Sequence, residues 1–512
     1  MRSIHVFGRD PVYALSAEQA EAWDGDARKR HNIPGRVLME NAARATAAVL
    51  HALHPRGRVL AVVGPGNNGG DALVALRILR EWGRDVAWIA ATPRTPELAL
   101  LHDHKLARLS SEQLSAALAD ADVIMDGMLG TGTRGAAREP MASVIRELNS
   151  AQRPVLAIDL PSGVDASTGR VEGDAVHARV TVTFGAAKVG LLLQPARSHC
   201  GRLVVAEIGL SPLPESPDSE LITPAWAHAR LPGRAPDAHK GAAGRVLLLA
   251  GSTGMAGAAA MAAHGALCAG AGLLRIVSSA SNREILQTLV PEATFFDRDG
   301  EVPGAGIHAL VAGCGMGTDE PALEALERAL DATDPLPVLL DADALNLLAQ
   351  RTDALKRIGA RRPTLLTPHL GEMARLSGKA ESEIQRDRLG CAQSFARATR
   401  CVVLLKGQPS MVAAPEGPAL INTTGSSDVA TGGMGDQLAG VIGAFLATGV
   451  EAREAAALGL FYAGRAADLA NRGRSLLPRH VSEGLRRAFR FPGARTSSLG
   501  LPFITFDQPA RW

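Results

Sequence analysis

Short apolar runs alternate with longer Ala-rich stretches along most of this chain, and this alternation predicts an α/β fold. In the first half, runs rich in Val, Ile and Leu predict strands, and apolar positions at helical spacing predict helices between several of them. The strands are Arg58–Gly64, Asp85–Ala90, Val123–Asp126, Val155–Asp159 and Val180–Phe184, and the helices include Ala72–Trp82 and Met141–Ser150. Strands that alternate with helices form parallel sheets with crossover helices on their faces.

The same alternation returns in the second half, after a segment of different composition. The strands predicted there are Arg245–Ala250, Leu273–Val277, Val338–Asp341, Thr364–Thr367 and Cys401–Leu405. The segment Leu210–Asp237 is rich in Pro and Ser, which is typical of an exposed linker. We therefore predict two α/β domains, residues 1–215 and 237–495, with a linker at 216–236 and a tail at 496–512.

The charge balance excludes some classes of partner. The 512 residues include 54 Lys and Arg and 52 Asp and Glu, which leaves a formal net charge of +2, and the basic residues form no cluster. Nothing in this balance attracts nucleic acid or an anionic membrane. The stretch Val246–Leu274 has no charged residue, but Gly251, Gly254 and Gly257 interrupt it, which favours a strand, a glycine loop and a buried helix over a membrane span. We expect no nucleic-acid partner and no membrane partner.

Cysteine usage and the N-terminus point to the cytoplasm. The five cysteines are scattered, form no C-x-x-C motif and indicate neither a disulfide framework nor a structural zinc site. They are Cys200, Cys268, Cys314, Cys391 and Cys401. The first ten residues lack the apolar region of a secretory signal. We therefore expect a cytoplasmic protein.

A glycine-rich run follows the first predicted strand and leads into a helix. The run Gly64-Pro65-Gly66-Asn67-Asn68-Gly69-Gly70-Asp71 matches G-x-G-x-x-G, in which glycines let backbone N–H groups approach a phosphate at a helix N-terminus. A dinucleotide-dependent dehydrogenase also needs an acidic residue near the end of the second strand, to hold the ribose. That strand ends in Ala90-Ala91-Thr92, and Asp85 lies at its other end. The pattern therefore argues against an ordinary NAD-dependent dehydrogenase.

Polar residues also follow the next strands. Asp126 ends one strand before the glycine-rich segment Gly130–Gly135, and Asp159 ends another before Leu160-Pro161-Ser162-Gly163-Val164-Asp165. Because ligands of open α/β sheets bind at the carboxyl ends of strands, Asn68, Asp126 and Asp159 are expected to converge on one pocket. A single Asp at a strand end is more often part of a turn or a helix cap. Three glycine-flanked loops together favour a functional site.

These motifs carry a family resemblance. The run N-N-G-G-D, the loop G-x-G-T-R-G and the motif D-x-P-S-G-x-D together resemble the NAD(P)H-hydrate epimerase family. The stretches Asp10–Ser16 and Leu38–Ala42 resemble the N-terminal helices of that family, so the resemblance covers roughly residues 10–210. It implies a Rossmann-like, three-layer domain that interconverts the R and S forms of hydrated NADH or NADPH at C6 of the nicotinamide ring.

The same resemblance implies roles for individual residues. Asp159 would lie against the reacting ring, where a buried carboxylate can move a proton. Asn68, Asp126 and Ser162 would bind a potassium ion, which prefers such hard oxygen ligands. The segments implied to hold the substrate consist of Asn67, Asn68, Gly69, Gly70, Asp71, Gly130, Thr131, Gly132, Thr133, Arg134 and Gly135.

The second half carries glycine-rich and acidic motifs in a fixed order. They are Lys240–Arg245, Gly251–Ala258, Gly313–Gly317, Asp341–Asn346, Thr367–Glu372, Val403–Gly407 and Ala430–Asp436. The last motif opens an apolar helix predicted over Gln437–Thr448. A glycine turn at a helix start can bind a transferring phosphoryl group while Asp436 accepts a hydroxyl proton. Taken alone, Asp436 is equally expected as a helix cap, and a single histidine such as His369 is more often a loop residue than a ligand-binding one.

In combination, these motifs resemble the ribokinase-like, ADP- or ATP-dependent NAD(P)H-hydrate dehydratases over roughly residues 235–490. Bacterial members of that family use ADP. The resemblance implies a ribokinase-like α/β domain in which Asp436 activates the C6 hydroxyl, phosphorylation makes it a leaving group, and elimination restores the dihydronicotinamide. Magnesium is expected to bridge the diphosphate. Carried over by position, the hydrated nicotinamide nucleotide would contact Ala258, Gly315, Gly317, His369 and Asp436, and the adenine nucleotide Lys406, Gly407, Gln408, Pro409, Ser410 and Gly435.

Two departures from the family pattern bear on nucleotide affinity. Gly425–Val429 stands where the family has a G-N-P-G-M-like run, and Asp428 brings a negative charge close to the expected phosphate site. Met255–Ala258 lacks the tyrosine that often precedes this G-A pair. We expect a bifunctional enzyme that takes NADHX, NADPHX and ADP and, by analogy with the family, forms a homo-oligomer. A ribokinase-type kinase for a vitamin precursor or a sugar, with an accessory domain, and a degenerate nucleotide-binding protein are the alternatives.

Overall fold

The computed structural model describes residues 4–5, 11–96, 106–213, 216–234, 236, 243–349, 351–490 and 501–506. The chain divides into two compact units. The first consists of Ser3–Ser219 together with Ala494–Trp512 and is called the N-terminal domain below. The second consists of Glu220–Gly493 together with Met1–Arg2 and is called the C-terminal domain.

The N-terminal domain contains a mostly parallel sheet with helices on both faces. Its strands are β1 (Ile4–His5), β2 (Tyr13–Leu15), β3 (Val59–Val63), β4 (Val86–Ala90), β5 (Ala107–Leu109), β6 (Val123–Gly127), β7 (Val155–Ile158), β8 (Val180–Phe184), β9 (Ala187–Lys188), β10 (Arg202–Ala206) and β21 (Ile504–Phe506). Its helices are α1 (Ala17–Lys29), α2 (Gly35–Leu53), α3 (Asn67–Glu81), α4 (Leu114–Asp120), α5 (Met141–Ser150) and α6 (Ala196–Cys200).

The strand order places a crevice in the middle of this sheet. The order is β1-β21-β10-β8-β7-β6-β3-β4-β5, and β2 pairs with β9. All neighbours from β10 to β5 are parallel, whereas β21 runs antiparallel to β10 and to β1. Helices α2 and α3 pack on one face, and α4 and α5 on the other. From β3 the chain adds strands towards one edge of the sheet (β4, β5), and from β6 it adds them towards the other (β7, β8). Open α/β sheets bind ligands at such a reversal of strand order, here between β3 and β6.

The C-terminal domain is a second α/β unit. Its strands are β11 (Ser219–Ile222), β12 (Arg245–Leu249), β13 (Leu273–Ser278), β14 (Thr294–Asp297), β15 (Ala309–Ala312), β16 (Val338–Leu340), β17 (Thr364–Leu366), β18 (Val402–Leu405), β19 (Met411–Ala413) and β20 (Ala419–Asn422). Its helices are α7 (Pro224–Arg230), α8 (Ala256–Ala269), α9 (Arg283–Leu289), α10 (Glu320–Ala332), α11 (Ala342–Ala349), α12 (Thr352–Arg361), α13 (Leu370–Ser377), α14 (Glu381–Arg386), α15 (Arg388–Thr399), α16 (Met434–Ala447), α17 (Ala452–Ala470) and α18 (Pro478–Phe489).

Six parallel pairings build the main part of this second sheet. The strands follow the order β14-β13-β12-β15-β16-β17-β18-β19-β20-β11, and the pairs from β14 to β18 are parallel. The pairs β18–β19 and β19–β20 are antiparallel. Helices α8, α16, α17 and α18 contribute most of the buried apolar residues of one large core. Here the reversal of order lies between β12 and β15, so the two glycine-rich segments that follow these strands meet at the crevice.

The structure confirms the α/β class and contains every strand that the sequence predicts, but some segments differ. The segment expected as a linker contains β11 and α7, where Ile222 and Trp226 are buried in the C-terminal domain's core. Within the expected tail, β21 pairs with β10. Of the motif Lys240–Arg245, residues Lys240–Ala242 lie outside the described residues. None of the helices in the described ranges combines the length and apolar character that a membrane span requires.

Candidate active sites

In the N-terminal domain, the Asn-Asn-Gly-Gly-Asp run forms the first turn of a helix rather than a loop. Helix α3 begins at Asn67, directly after the loop that leaves β3. A Cβ atom on Gly69 would lie 2.1 Å from the carbonyl oxygen of Gly64, and one on Gly64 would lie 1.8 Å from that of Met128. Only glycine allows these backbones so close. The glycines therefore bring the start of α3 against the loop that follows β6.

Asn68, Asp126 and Ser162 come together below this turn, and all three are buried. The Ser162 backbone N–H and hydroxyl donate to the two Asp126 carboxylate oxygens over 2.8 and 2.7 Å. The Asn68 amide Nδ2 donates to the Leu129 carbonyl over 2.7 Å, while its Oδ1 is buried and accepts no hydrogen bond from the residues described. Burial raises the pKa of Asp126 to about 6, although the Ser162 hydrogen bonds oppose the shift. Buried oxygen atoms with unused lone pairs are suited to a cation.

Asp159 lies at the end of β7 in a cluster with a buried lysine. Its backbone adopts a φ of +64°, which is uncommon for a residue other than glycine. Its Oδ1 accepts hydrogen bonds from the Lys188 ammonium over 2.7 Å and from the Thr183 hydroxyl over 3.1 Å. Lys188 is only 4% exposed and also donates to Thr183 and to the Phe184 carbonyl. The carboxylate is thereby fixed in place and paired with a buried positive charge.

Asp71, the last residue of the same glycine-rich run, is influenced by the charges of this cluster. Burial raises the pKa of Asp71 well above its usual range, and the nearby charges of Asp159 and Asp24 raise it further, whereas Lys188 opposes them. Two carboxyl groups in one site, one with a pKa raised by burial and one paired with a lysine, are an arrangement that can separate an acid from a base.

The Gly130–Gly135 segment lies beside Asn68. A Cβ atom on Gly130 would be 3.4 Å from the Asn68 Cβ, so the loop passes directly over the start of α3. Arg134 pairs with Glu18 of α1, which also accepts a hydrogen bond from the Ser167 hydroxyl over 3.1 Å. A backbone hydrogen bond, followed by that of Arg134, lowers the pKa of Glu18 to about 2. The Arg134 guanidinium thus ties this loop to α1.

In the C-terminal domain, the glycine-rich segments that follow β12 and β15 pack directly against each other. The Ser252 backbone N–H donates to the Gly315 carbonyl over 2.6 Å. Gly315 has a φ of +57°, and a Cβ there would lie 2.8 Å from the Ala258 Cβ. The Gly317 backbone N–H donates to the Asp343 carboxylate over 3.0 Å. Ala258, Gly315 and Gly317, which the resemblance assigns to the hydrated nucleotide, therefore lie in one small area.

Acidic and basic groups surround the start of α16. The Lys406 ammonium lies 2.9 Å from Asp341 Oδ1 and 3.8 Å from Glu372 Oε2, and both carboxylates are buried. Asp436 lies in the first turn of α16. Burial raises the pKa of Asp436 to about 6, the charge of Asp341 adds to the shift, and Cys314 and Lys406 oppose it. A Cβ on Gly435 would lie 3.5 Å from the Lys406 Nζ, so the lysine points at this helix N-terminus.

His369 caps a neighbouring helix. Its Nδ1 accepts hydrogen bonds from the backbone N–H groups of Gly371 and Glu372 over 3.0 and 3.3 Å. The Glu372 carboxylate accepts in return from the His369 backbone N–H over 2.8 Å, and the imidazole side chain is 53% exposed. The imidazole therefore caps this helix, a role that the sequence did not predict for His369, and the other ring nitrogen, Nε2, lies 3.2 Å from Glu372 Oε1.

Sequence reasoning did not single out several residues of these sites. Lys188, Asp341 and Glu372 are buried and touch the expected catalytic or nucleotide-binding residues. The sequence could have indicated Asp341 and Glu372 as site residues, because each lies in a motif that follows a predicted strand. Within the described ranges, no group of three or more His, Cys, Asp or Glu side chains is arranged to hold a metal ion.

Comparisons with known proteins match both domains. The family described as "YjeF-related protein N-terminus" matches residues 35–190, and the family described as "NAD(P)H-hydrate dehydratase" matches residues 246–487. The chain is 38% identical to a bifunctional NAD(P)H-hydrate repair enzyme of Moorella thermoacetica, over 90% of this chain and 93% of the relative. It is 37% identical to the enzyme of that description from Mycobacterium leprae, over 87% and 92% of the two chains.

The similarity extends to further bacteria and to a solved structure. The bifunctional NAD(P)H-hydrate repair enzyme of Escherichia coli is 35% identical over 84% of either chain. A crystal structure of the ADP/ATP-dependent NAD(P)H-hydrate dehydratase from Bacillus subtilis, co-crystallized with ATP/Mg2+, is 32% identical over 53% of this chain and 97% of that one, with a TM-score of 0.48.

Proposed function

The chain belongs to the family of bifunctional NAD(P)H-hydrate repair enzymes, and we propose that each domain performs one of two reactions at the edge of its own sheet. The N-terminal domain interconverts the R and S forms of hydrated NAD(P)H, and the C-terminal domain dehydrates the S form with ADP. The observation that carries this proposal is the pairing of a carboxylate with a lysine in each domain: Asp159 with Lys188, and Asp341 with Lys406.

In the epimerisation, Asp159 acts on the hydroxylated C6 of the nicotinamide ring. Its carboxylate is fixed by Thr183 and Lys188, so it can accept the hydroxyl proton without reorganising. The C6–N1 bond then breaks to give a ring-opened aldehyde, which rotates about its C5–C6 bond and presents its other face for reclosure. Asp71, whose pKa is raised by burial, supplies a proton to the departing ring nitrogen, and both protons return when the nitrogen attacks the other face of the aldehyde. Residues Asn67–Asp71 and Gly130–Gly135 hold the substrate over this pair.

A potassium ion fits the cluster beside this site. The donors are the buried Asn68 Oδ1, which lacks a partner among the residues described, the buried Asp126 carboxylate and the Ser162 hydroxyl. Such a monovalent ion would satisfy Asn68 and offset the buried charge of Asp126. It would fix the start of α3 relative to the loop after β6, and thereby the substrate-binding residues of both.

In the dehydration, Asp436 accepts the proton of the C6 hydroxyl while that oxygen attacks the β-phosphorus of ADP. AMP leaves, the phosphorylated substrate then loses phosphate and a ring proton, and NAD(P)H is formed. Lys406 and the N-terminus of α16, with Gly435, stabilise the charge on the transferring group. Magnesium enters with the diphosphate, because this ion is usually held by substrate phosphates and few carboxylates. Ala258, Gly315, Gly317 and His369 face the hydrated nucleotide, and Lys406–Ser410 the adenine nucleotide.

The test is recovery of NADH absorbance from mixed R and S NADHX with ADP, magnesium and potassium. Full recovery of both epimers supports both reactions, and recovery that stops at the S fraction removes the epimerase proposal. No recovery with either ADP or ATP contradicts the dehydratase proposal. Replacing potassium by choline should slow recovery of the R fraction only; an unchanged rate would reject the potassium site.

A further inference from the structure

Arg388, the first residue of α15, lies beneath the loop Lys406–Ser410. It is only 6% exposed. Its Nη2 donates to the Lys406 carbonyl over 3.2 Å, and its Nη1 donates to the Gln408 carbonyl over 3.3 Å. One guanidinium therefore holds two carbonyl groups of the same loop, on either side of Gly407.

Gly407 and Ser410 complete this arrangement. A Cβ atom on Gly407 would lie 2.2 Å from Arg388 Nη2, so the guanidinium occupies the space where a side chain would be. The Ser410 hydroxyl donates to the Gly407 carbonyl and accepts from the Gly407 N–H, both over 3.1 Å. The carbonyl oxygens of Lys406 and Gln408 thus accept from Arg388, and that of Gly407 accepts from the Ser410 hydroxyl. Gly407 and Gln408 themselves are exposed.

The charge of Arg388 has no acidic counterpart in the part of the chain that the structure describes. Its hydrogen-bond partners there are the two carbonyl oxygens, and its Nε is buried without a partner. Burial lowers the pKa of Arg388 to about 10, so the guanidinium remains charged at neutral pH. A buried positive charge without an acid is expensive unless an anion approaches it.

We propose that Arg388 is a positioning residue for the diphosphate of the nucleotide: it turns the loop carbonyls away from the phosphates and adds its charge beneath them. Carbonyl oxygens that faced a phosphate would repel it, and Arg388 binds two of them on the inner side of the loop. The same contacts fix the backbone of Lys406, whose ammonium reaches Asp341. This inference rests on the proposed role of Lys406–Ser410 in binding the adenine nucleotide.

The experiment compares Arg388→Met and Arg388→Lys with the unmodified enzyme, using pure S NADHX and varied ADP. For Arg388→Met we expect the KM for ADP to rise by about 10- to 100-fold, because two charge-assisted hydrogen bonds and the charge are lost. The KM for S NADHX at saturating ADP should change less than about twofold. Arg388→Lys keeps the charge but not the planar fork, so it should recover part of the ADP affinity.

Arg362 provides a matched control in the same domain. It is also 6% exposed, and its guanidinium likewise donates to backbone carbonyls, among them that of Leu330 over 2.8 Å. Arg362→Met should lower the melting temperature as Arg388→Met does, without a selective rise in the KM for ADP. Equal rises in both variants, or an unchanged KM in Arg388→Met, would overturn the inference. If Arg388→Met does not fold, the KM of Arg388→Lys decides in the same way.

The experiments distinguish a failure of the proposed function from a failure of this inference. An unmodified enzyme that neither binds ADP in calorimetry nor uses it in turnover would remove the nucleotide role of the loop itself. An unmodified enzyme that uses ADP, together with an Arg388→Met variant of equal ADP affinity, would leave the dehydratase intact and remove only the role of Arg388.

Discussion

At the scale of single residues, each proposed site contains a lysine paired with a carboxylate. Lys188 is only 4% exposed and donates to Asp159, to Thr183 and to the Phe184 carbonyl. These three hydrogen bonds fix the ammonium beside the Asp159 carboxylate, and the carboxylate is fixed in return. Lys188 therefore belongs to the epimerisation site as much as Asp159 does.

Lys188→Met should remove this support. Because one partner of a buried ion pair is then left alone, we expect the free energy of unfolding of the N-terminal domain to fall by about 3–5 kcal/mol. Epimerisation should slow by about 100-fold or more, while dehydration of pure S substrate continues. Chemical denaturation and the two separate assays measure these effects. Lys379→Met, at a half-exposed lysine paired with Glu383, is the control and should change neither. Unchanged epimerisation in Lys188→Met would reject the role.

Asp436 predicts a pH dependence for the dehydration. Its pKa is raised to about 6, mainly by burial and by Asp341. A base must be ionised to accept a proton, so kcat/KM for S NADHX should fall about tenfold per pH unit below pH 6 and level off above it. The free energy of unfolding changes in the opposite direction and rises as the pH falls through about 6. The reason is that the raised pKa of Asp436 makes the folded domain bind this proton more tightly than the unfolded chain does.

Asp436→Asn separates these two effects. The variant should lose dehydration, and at neutral pH its free energy of unfolding should rise by about 1–3 kcal/mol, because a buried charge close to Asp341 is gone. Turnover against pH and denaturation at pH 7 are the measurements. A flat profile from about pH 5 to pH 8 in the unmodified enzyme, or turnover by the variant, would contradict the assignment of the base.

At the scale of elements, the sequence pattern found most of the parallel strands but missed β5, β10, β14 and β15, the last of which lies in the middle of its sheet. Strands such as Val59–Val63 are buried on both faces of the sheet, so their sequences are continuous apolar runs that are easily recognised. Short strands such as Met411–Ala413 contain too few residues to show a period. The helix predicted from Ala72 begins at Asn67, because tertiary contacts outweigh the low helix propensity of asparagine and glycine.

The packing of α8 on α16 makes the dehydration site sensitive to one methyl group. A Cβ on Gly440 of α16 would lie 1.8 Å from the Ala262 carbonyl oxygen, and one on Gly265 of α8 would lie 2.2 Å from that of Gln437. Gly440→Ala should force the helices apart and cost about 1–3 kcal/mol of stability. Since Asp436 lies about one turn earlier on α16, dehydration should fall at least tenfold while epimerisation persists.

The control for this prediction is a helical glycine in open space. Gly25 of α1 has nothing within 4 Å of its added Cβ, so Gly25→Ala should raise stability by about 0.4–1 kcal/mol. Thermal unfolding and both assays distinguish the two variants. If Gly440→Ala unfolds and turns over like the unmodified enzyme, the helix contact is not what fixes Asp436.

At the scale of the whole molecule, the sequence predicted the chemistry more completely than the chain path. Most of the motifs that resemble the two families lie next to strand ends, so their order along the chain gave the order of those loops. Partners distant in sequence, such as Lys188 for Asp159 and Arg388 for Gly407, depend on which side chains the folded backbone brings together, and no local spacing encodes this. The same holds for β21, whose three residues pair with two strands distant in sequence, β10 and β1.

That last strand leads to a prediction about how the chain can be divided. Leu203, Val204 and Val205 of β10 pair with Phe506, Thr505 and Ile504. All three residues of β21 are buried, and Ile504 and Phe506 would each contribute about 1.5–3 kcal/mol. A chain that ends at Gly493 leaves the β10 edge unpaired and exposes the apolar surface beneath it.

We therefore expect the chain ending at Gly493 to keep ADP-dependent dehydration of S NADHX and to lose most of its epimerisation. Phe506→Ala in the full chain should show the same direction with a smaller cost, about 3–5 kcal/mol, confined to the unfolding of the N-terminal domain. Fusing residues 494–512 to a separate 1–219 chain should restore epimerisation, because that domain then has all of its strands. If the 1–219 chain alone epimerises at the full rate, β21 is dispensable, and the N-terminal domain is complete without the end of the chain.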